Sequence, residues 1–389
     1  MKKNFLFVML AAVVMTACNG GGNTDVTSDK EAALQKVVKP YVDNTVIATY
    51  SAMADAGLEL LDQCEQIQLK VKAGEDYAQL IVAADASWRK MRKHWEQSEA
   101  FLFGPASVHY IDPHIDSWPL DFNAMNSLLH DPVQMAAIEE EGGAYVGDKL
   151  GYALKGFHAA EYLLFESVER EGRAVGTGRP HAANLTNAEA VYLLGIVEDL
   201  TQQAILLEYC WAGEISAPKT KVLEDGEVDT WEDKYGWQMI NAGKAGSTFV
   251  TYQSVAEEIV AGCIDIAGEV ADMKLGNPYL SSNEVERDYI ESPYSCTSTT
   301  DFADNILSIQ HSYCGAKAGD ASISDYVKRQ DKELDAKVVK AIEDAIQAIE
   351  AIEDFENTAQ NNPQVKAAID KVSALEEVLD KEVLPLLSK

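Results

Sequence analysis

The sequence predicts an all-α protein built from two antiparallel bundles of the four-helix type, packed side by side. From Asp29 onward, apolar residues recur at steps of three and four along almost the whole chain, which is typical of amphipathic helices. No long segment alternates apolar and polar residues as a half-buried strand would. Each half of the chain holds about four apolar stretches joined by short connections, which is the pattern of an antiparallel bundle.

In the first half, three apolar stretches are long enough to form bundle helices. They run through Val46–Val71, Tyr77–Leu102 and Tyr152–Val168. Gly104 and Pro105 end the second stretch, and an irregular segment follows. That segment ends near Asp121, which is well placed to cap the next short helix.

The second half continues the same periodicity after a segment that predicts a domain boundary. This segment, Glu169–Pro180, has three glycines, a proline and no apolar periodicity. We therefore expect one helical bundle over residues 30–180 and a second over residues 181–389. The apolar stretches of the second bundle run through Asn187–Tyr209, Phe249–Met273, Phe302–Tyr313, Val339–Ile352 and Val365–Leu386.

The first residues predict export and a lipid anchor. Lys2 and Lys3 precede an apolar stretch too short to span a bilayer, so residues 1–17 have the form of a signal peptide. Met15-Thr16-Ala17-Cys18 matches a bacterial lipobox, which makes Cys18 the lipidated residue at the start of a flexible tether over residues 18–29. The alternative is an ordinary signal peptide in which Cys18 is incidental.

This leader sets the expected location and membrane contact. We expect a protein of the cell envelope, periplasmic or associated with the outer membrane, whose membrane partner is reached through Cys18. No later stretch is judged long and apolar enough to form a transmembrane helix.

The charge balance excludes one class of partner. The formal net charge of −31 argues against binding to nucleic acid or to an anionic membrane surface. It is compatible with attraction of cations, although a solvated acidic surface explains it equally well.

The later cysteines form no C-x-x-C pair. Cys64 and Cys263 lie on apolar stripes and are expected to be small core residues. Cys296 and Cys314 are a candidate disulfide pair in an oxidising compartment.

Three polar residues interrupt the apolar stripes of the first half. His158 and Glu161 lie three residues apart, so they share one helix face, and that face is the apolar one. Glu99 falls on the preceding stripe, four residues after Trp95. Such groups are costly to bury unless something satisfies them. They form either an internal hydrogen-bonded network, an acid/base pair, or part of a metal site with a mixed nitrogen and oxygen ligand set.

The signature Gly156-x-His158-x-x-Glu161 resembles the GxHxxE motif of the imelysin family, also called the M75 peptidase family. Two other stretches resemble that family in the expected order. Trp88–Pro105 is similar to its tryptophan-rich helix ending in E-A-F-x-F-G-P, and Lys274–Gly315 is similar to its ES-x-x-S, D-F-x-x-N-I and Y-x-G pattern. The chain resembles bacteroidetal imelysin-like lipoproteins in particular.

The resemblance implies two helical bundles, with the signature site near their interface, and suggests an internal duplication. No residue-level repeat between the halves supports the duplication independently. If the bundles meet at the signature, part of the second-half pattern should face His158. The polar residues of that pattern are Glu291, Ser292, Ser295, Asp301 and Asn305. The alternative role of these residues is loop and helix-cap chemistry. Gly156, Trp88 and Asp121 are further residues expected to support the site.

The resemblance also implies a link to periplasmic iron or haem acquisition, with uptake proteins as partners. The preferred interpretation is an exported, lipid-anchored protein in which His158, Glu161 and Glu99 bind a divalent metal, iron or zinc. One alternative is an M75-type metallopeptidase using His158 and Glu161, although the H-E-x-x-H motif of helical zinc peptidases is absent. A second alternative is a scaffold with a buried His–Glu network.

Overall fold

The structure is a computed structural model that describes residues 24–170, 173–281 and 289–389. The predicted signal peptide and the lipidation site at Cys18 lie outside these residues. The predicted tether lies partly outside them, and a helix already begins at Thr24, inside the range predicted to be flexible.

The all-α class predicted from the periodicity is confirmed, since the chain is 73% helical. The first half of the chain contributes short and long helices. They are α1 (Thr24–Pro40), a π-helical turn (Tyr41–Ile47), α2 (Ala48–Ala73), α3 (Ala78–Glu96), a 3₁₀ turn (Glu99–Phe101), α4 (Pro105–Val108), α5 (Ile111–Ile115), α6 (Phe122–Leu129), α7 (Pro132–Glu141), α8 (Gly143–Lys149), a second 3₁₀ turn (Tyr152–Leu154) and α9 (Gly156–Leu164).

The second half adds longer helices and two short strands. The strands β1 (Phe165–Arg170) and β2 (Arg173–Pro180) come directly after α9. The helices are α10 (Asn187–Ala212), α11 (Ala217–Asp225), α12 (Tyr235–Ile240), α13 (Tyr252–Glu269), a π-helical segment (Val270–Leu275), α14 (Gly276–Leu280), α15 (Ser298–Cys314), α16 (Ile323–Gln330), α17 (Lys332–Glu350), α18 (Phe355–Thr358), α19 (Pro363–Val378), a π-helical turn (Leu379–Val383) and α20 (Leu384–Ser388).

The hairpin corrects the prediction that one helix spans Tyr152–Val168. The helix ends at Leu164, and β1 and β2 pair antiparallel as a two-stranded sheet. The pairing covers the segment that the sequence predicted to be an irregular boundary. Glycines in β2 and charged residues in both strands hide the strand period, which explains why the pattern was missed.

The helices form two groups that share one continuous apolar core. One group contains α2, α3, α9 and α10, and the other contains α13, α15, α17 and α19. The boundary predicted at residue 180 stays a prediction about domains. The structure adds that α10, which follows this boundary, packs chiefly against α2, and that α1 packs against α13.

Helix α10 also changes the expectation about membrane-spanning segments. Its 26 residues and mean hydropathy of 1.3 would allow it to cross a bilayer, but 83% of its most apolar window is buried within the fold. A central helix surrounded by other helices explains this apolar composition.

The cysteine predictions have mixed outcomes. Cys64 and Cys263 are buried in the core, as predicted. The predicted pairing of Cys296 with Cys314 is wrong, because both thiols are free in the structure.

Candidate functional site

The signature glycine brings helix α9 against the backbone of α5. Gly156 has φ +75°, and a Cβ atom there would lie only 2.1 Å from the carbonyl oxygen of Ile115. A side chain at this position would therefore force the two helices apart. This close approach places the first turn of α9 beside Asp116, the residue that follows Ile115.

His158 lies between two carboxylates. Its Nε2 atom is 3.1 Å from Asp116 Oδ1, and its Nδ1 atom is 3.2 Å from Glu161 Oε2. The imidazole is 2% exposed, so neither nitrogen relies on bulk water for a partner. The predicted contact between His158 and Glu161 is therefore present, and Asp116 completes a buried triad.

Glu161 is held by the second half of the chain. Its Oε1 atom accepts hydrogen bonds from the backbone N–H groups of Tyr294 at 2.9 Å and Ser295 at 2.7 Å, and from Ser295 Oγ at 2.7 Å. These bonds fix the carboxylate while its other oxygen faces His158. Glu161 therefore orients the imidazole from the side opposite to Asp116.

The loop that carries Tyr294 and Ser295 is held by the hairpin. A Cβ atom on Gly176 would lie 2.3 Å from the Pro293 carbonyl oxygen, and the Gly178 N–H donates to Tyr294 O at 3.2 Å. Arg89 joins the same region by donating to Ser295 O at 3.2 Å and Gly178 O at 2.9 Å. The hairpin thus positions the donors that hold Glu161.

Arg92 on α3 is the central cation. Its guanidinium contacts Asp116, lies 2.5 Å from Glu96 and from Glu291, and has its Nε atom 3.6 Å from Asp301. The side chain is 1% exposed. Four carboxylates from different segments therefore converge on one buried arginine.

Lys274 is the second buried cation, at the end of the helix that continues α13. Its Nζ atom lies 3.2 Å from Glu291, 3.5 Å from Glu99 and 3.6 Å from Glu96. Glu99 therefore joins the site through Lys274, and one of its oxygens lies within 4.8 Å of ligand atoms on Glu96 and Asp116. We call this connected set of buried charges the polar cluster. Its members are Arg92, Glu96, Glu99, Asp116, His158, Glu161, Lys274, Glu291 and Asp301.

Polar residues of the second-half pattern face this cluster, as the resemblance implied. Ser292 Oγ donates to Asp301 Oδ2 at 2.6 Å, and Asn305 Nδ2 donates to Glu96 Oε2 at 2.6 Å. Glu291 contacts both buried cations directly. Thus Glu291, Ser292, Ser295, Asp301 and Asn305 lie at the interface with the signature.

Of the residues predicted to support the site, Trp88 contacts the signature helix and Asp121 has another role. Trp88 donates from Nε1 to Phe157 O at 3.1 Å and packs against the rings of Phe157 and Phe165. It therefore contacts both α9 and the start of β1. Asp121 is exposed and accepts from the Ala124 N–H at 2.9 Å. Asp121 is therefore the helix cap that the sequence also suggested.

Burial and charge change the proton affinities of the cluster in opposite directions. Burial would lower the pKa of His158, but its hydrogen bonds to Asp116 and Glu161 raise it to about 9. Burial would raise the pKa of Asp116, but Arg92 and His158 hold it below its usual value. Burial raises the pKa of Glu291 to about 7 despite Lys274, and it raises the pKa of Glu99 well above normal.

A cavity of about 590 Å³ lies between His158 and the hairpin. His158 lies in its wall, together with the aromatic rings of Trp118, Tyr162 and Tyr294. Glu169 and Glu356 contribute carboxylates to the same wall. The cavity therefore offers a small cation an acidic route to the imidazole.

Comparison with known proteins identifies the family and the fold. A sequence model of the imelysin family, peptidase M75, matches residues 46–381. The chain belongs to the imelysin family. A curated relative, iron-regulated protein A of Synechococcus elongatus, is 26% identical over 359 residues, covering 90% of this chain and 86% of the relative.

Two solved structures share the fold of this imelysin-family chain. One, from Parabacteroides distasonis, carries the provisional name iron-regulated protein A precursor; it has a TM-score of 0.75 and 23% identity, covering 92% of this chain and 96% of that one. The other is an imelysin-like protein from Psychrobacter arcticum, with a TM-score of 0.61, 12% identity and the same coverage.

Sequence reasoning missed four charged residues of this imelysin site. Arg92 and Glu96 lie four residues apart on the stripe that contains Trp88 and Trp95, and Lys274 follows Val270 by four. The available signal was that Arg92 and Lys274 each lie four positions after an apolar residue, and that Glu96 lies four positions after Arg92. Asp116 lies in an irregular segment and gave no periodic signal of any kind.

Proposed function

We propose that this imelysin-family chain is an exported, lipid-anchored protein that binds a divalent metal, iron first, at the polar cluster. In this role it would take part in iron acquisition at the cell envelope. Uptake proteins of the envelope are the partners that this role requires.

The observation that carries the proposal is the excess of buried carboxylates over buried cations. Among the described residues, the cluster sets the permanent charges of Arg92 and Lys274 against a larger group of acids. All of the following acids are buried: Glu96, Glu99, Asp116, Glu161, Glu291 and Asp301. With all six acids ionised, this set would stay negative even if His158 were protonated. Isolated buried charge is costly, so the cluster favours an added cation or added protons.

Three ligand atoms already converge at one point of the cluster. Asp116, His158 and Glu291 each offer one atom, and the three atoms lie within 4.8 Å of one another. In the described part of the chain, Glu291 Oε2 is buried and has no hydrogen-bond partner. A buried oxygen without a donor is one that a metal ion would satisfy.

The donor chemistry favours iron or zinc over calcium. One imidazole with carboxylates is a mixed nitrogen and oxygen set, whereas calcium takes oxygen ligands alone. The name of the cyanobacterial relative, iron-regulated protein A, favours iron of the two. Arg92 contacts the same carboxylates, so the bound metal has to share them with a fixed positive charge.

That sharing also favours the competing interpretation, a scaffold in which Arg92 and Lys274 alone stabilise the bundle interface. The two interpretations differ at His158 Nε2. In the scaffold this atom shares a proton with Asp116, and in the metal-binding protein it binds the metal. A metallopeptidase remains the other alternative, and the cluster would supply it with one imidazole and several carboxylates.

The experiment is to measure the metal content of protein purified from cells grown with iron. We expect bound iron in the wild type and its loss in a His158→Ala, Glu161→Ala variant. His114→Ala is a matched control, because His114 lies in the same half of the chain as His158 and is also 2.9 Å from an aspartate, Asp199. Metal-free wild-type protein, or equal iron in all three proteins, would contradict the proposal.

The anchor is tested separately. We expect Cys18→Ser to move the protein from the membrane fraction into a soluble fraction. The substitution removes the residue whose lipid would hold the protein at the membrane. A Cys64→Ser variant is the control, since Cys64 is a buried core residue. A Cys18→Ser protein that still sediments with membranes would contradict lipid anchoring.

A further inference from the structure

A second group of metal-ligating side chains shares no residue with the polar cluster. It consists of His109, which follows α4, Cys210, in the last turn of α10, and Asp233, in the connection between α11 and α12. One ligand atom from each of the three residues lies within 4.8 Å of the other two. Segments distant in sequence therefore bring a thiol, an imidazole and a carboxylate to one point.

Trp231 fixes the geometry of this group. Its ring stacks on the His109 imidazole with centroids 3.9 Å apart and an interplanar angle of 8°. Its carbonyl oxygen accepts a weak hydrogen bond from the Cys210 thiol at 3.7 Å. The His109 Nε2 atom lies 2.6 Å from Asp233 Oδ2, so the ring edge faces the carboxylate.

We propose that His109, Cys210 and Asp233 are the ligands of a zinc ion. Sulfur, imidazole nitrogen and carboxylate oxygen are the three ligand types that zinc accepts in tetrahedral sites. The thiolate is a ligand that the polar cluster lacks among its described residues, and it favours zinc over magnesium, calcium or manganese. A water molecule would complete the tetrahedron.

The distance between His109 and Asp233 requires only a small adjustment. Bond lengths of about 2.0 to 2.3 Å in a tetrahedral zinc site place ligand atoms roughly 3.3 to 3.7 Å apart. The His109–Asp233 distance would therefore open by under about 1 Å. Their side chains are 14% and 29% exposed, so they can move, whereas Cys210 is fixed in the core.

Binding exchanges a proton for the metal. Burial, with Asp233 next in importance, raises the pKa of the Cys210 thiol, so the metal-free site holds S–H. Zinc would form the S–Zn bond as that proton leaves to solvent. The protonated thiol also argues against a cysteine nucleophile, which requires a lowered pKa.

Zinc binding would cross-link three segments of the chain. The ion would join the turn after α4, the end of α10 and the connection that carries Trp231 and Asp233. That connection lacks regular secondary structure from Val228 to Lys234, so a metal cross-link there would stabilise it against local opening.

The experiment uses cobalt(II) as the probe, titrated into the metal-free full chain under reducing conditions. A cobalt–thiolate bond gives a near-ultraviolet charge-transfer band that carboxylate and imidazole ligands do not give. We expect this band to reach the intensity of one cobalt–thiolate bond per chain and zinc to abolish it. The readout is independent of the polar cluster, so a His158→Ala variant should show the same band.

Three variants test which side chains bind the metal. Cys210→Ser should abolish the band, and Cys64→Ser, which changes another buried free thiol, should keep it. His109→Gln changes a partly exposed side chain, so it should fold normally and weaken cobalt binding by about tenfold or more. An absent band in the wild type, or an unchanged band in Cys210→Ser or His109→Gln, would overturn the proposal and leave a hydrogen-bonded trio.

Discussion

The buried faces of α3 and of the C-terminal helix pair α17 and α19 stabilise the molecule in different ways. From Val338 to Ile349, the buried residues of α17 are apolar, and so is the buried face of α19. Helix α3 instead buries Arg92 and Glu96 together with Trp88 and Trp95. The buried contact between α17 and α19 is apolar packing, whereas the interior beside α3 depends on charges that must balance each other.

This difference shows where a ligand can act on the fold. An apolar interface is complete as it stands, and a cation added there would be destabilising. The polar cluster has more carboxylates than cations among its described residues, so its stability depends on protons or bound metal. If the cluster binds metal as proposed, metal binding and stability are coupled at α3 and separate at α17 and α19.

The largest effect should come from removing the central cation. Arg92→Met would leave Asp116, Glu96 and Glu291 without their closest positive charge, and breaking a buried ion pair costs about 3–5 kcal/mol. With several acids affected, we expect a loss at or above about 5 kcal/mol in the free energy of unfolding measured by denaturant titration.

The control for this variant is Lys90→Met on the same helix. Lys90 pairs with Glu59 at the surface, so its loss should cost about 0–1 kcal/mol. An Arg92→Met protein as stable as Lys90→Met would show that the cluster does not depend on charge compensation.

A core truncation in the C-terminal pair should have the next largest effect. Ile342 is fully buried on α17, and Ile342→Ala should cost about 2–5 kcal/mol through lost contacts and a cavity. Metal content should stay at the wild-type value, because packing and ligand binding are separate there. Loss of metal at unchanged folding would break the comparison between the two regions.

The pH dependence of stability should expose the polar cluster. The pKa of His158 is raised from 6.5 to about 9 in the folded protein, so its contribution is complete below pH 6.5 and is lost as pH rises through 9. The shift corresponds to a contribution on the order of 3 kcal/mol. The raised pKa of Glu291 acts in the same direction between 4.5 and about 7.

The measurement is the free energy of unfolding of metal-free protein across this pH range. Wild-type stability should fall with rising pH, and His158→Gln should show a flatter dependence. Identical curves for the two proteins would place the titrating groups outside the cluster.

The smallest effect should come from one donor to Glu161. Ser295→Ala removes one hydrogen bond at 2.7 Å, but the backbone donors of Tyr294 and Ser295 remain. We expect a loss of about 1–2 kcal/mol in unfolding free energy and a modest weakening of metal binding. A cost as large as that of Arg92→Met would mean that the loop, rather than Arg92, holds the cluster together.

The same contrast explains how much the sequence could predict. Residues such as Ile342 and Ile349 repeat at helical spacing, so the C-terminal helices and the all-α class were readable directly. His158 and Glu161 were found because they interrupt an apolar stripe. Arg92 and Lys274 were missed because long cationic side chains normally lie on solvated faces.

Other parts of the site depend on contacts that sequence alone does not show. Asp116 enters the cluster because Gly156 lets α9 approach the backbone of Ile115, a tertiary contact between distant segments. The hairpin that holds Ser295 in place is polar and glycine-containing, so its strand pattern is weak. Glu99 was predicted as a direct ligand beside His158, and the structure places it beside Lys274 instead.

The central claim is that the polar cluster binds a divalent metal, and thermal melting tests it most directly. Iron(II), added without oxygen at about 100 times its Kd, should stabilise the wild type by about 2.7 kcal/mol and raise Tm by roughly 3–5 °C. Glu291→Gln keeps the size of a proposed ligand but removes its charge, so this rise should disappear, while Cys210→Ser should keep it. A wild-type Tm that iron(II) leaves unchanged would contradict the account.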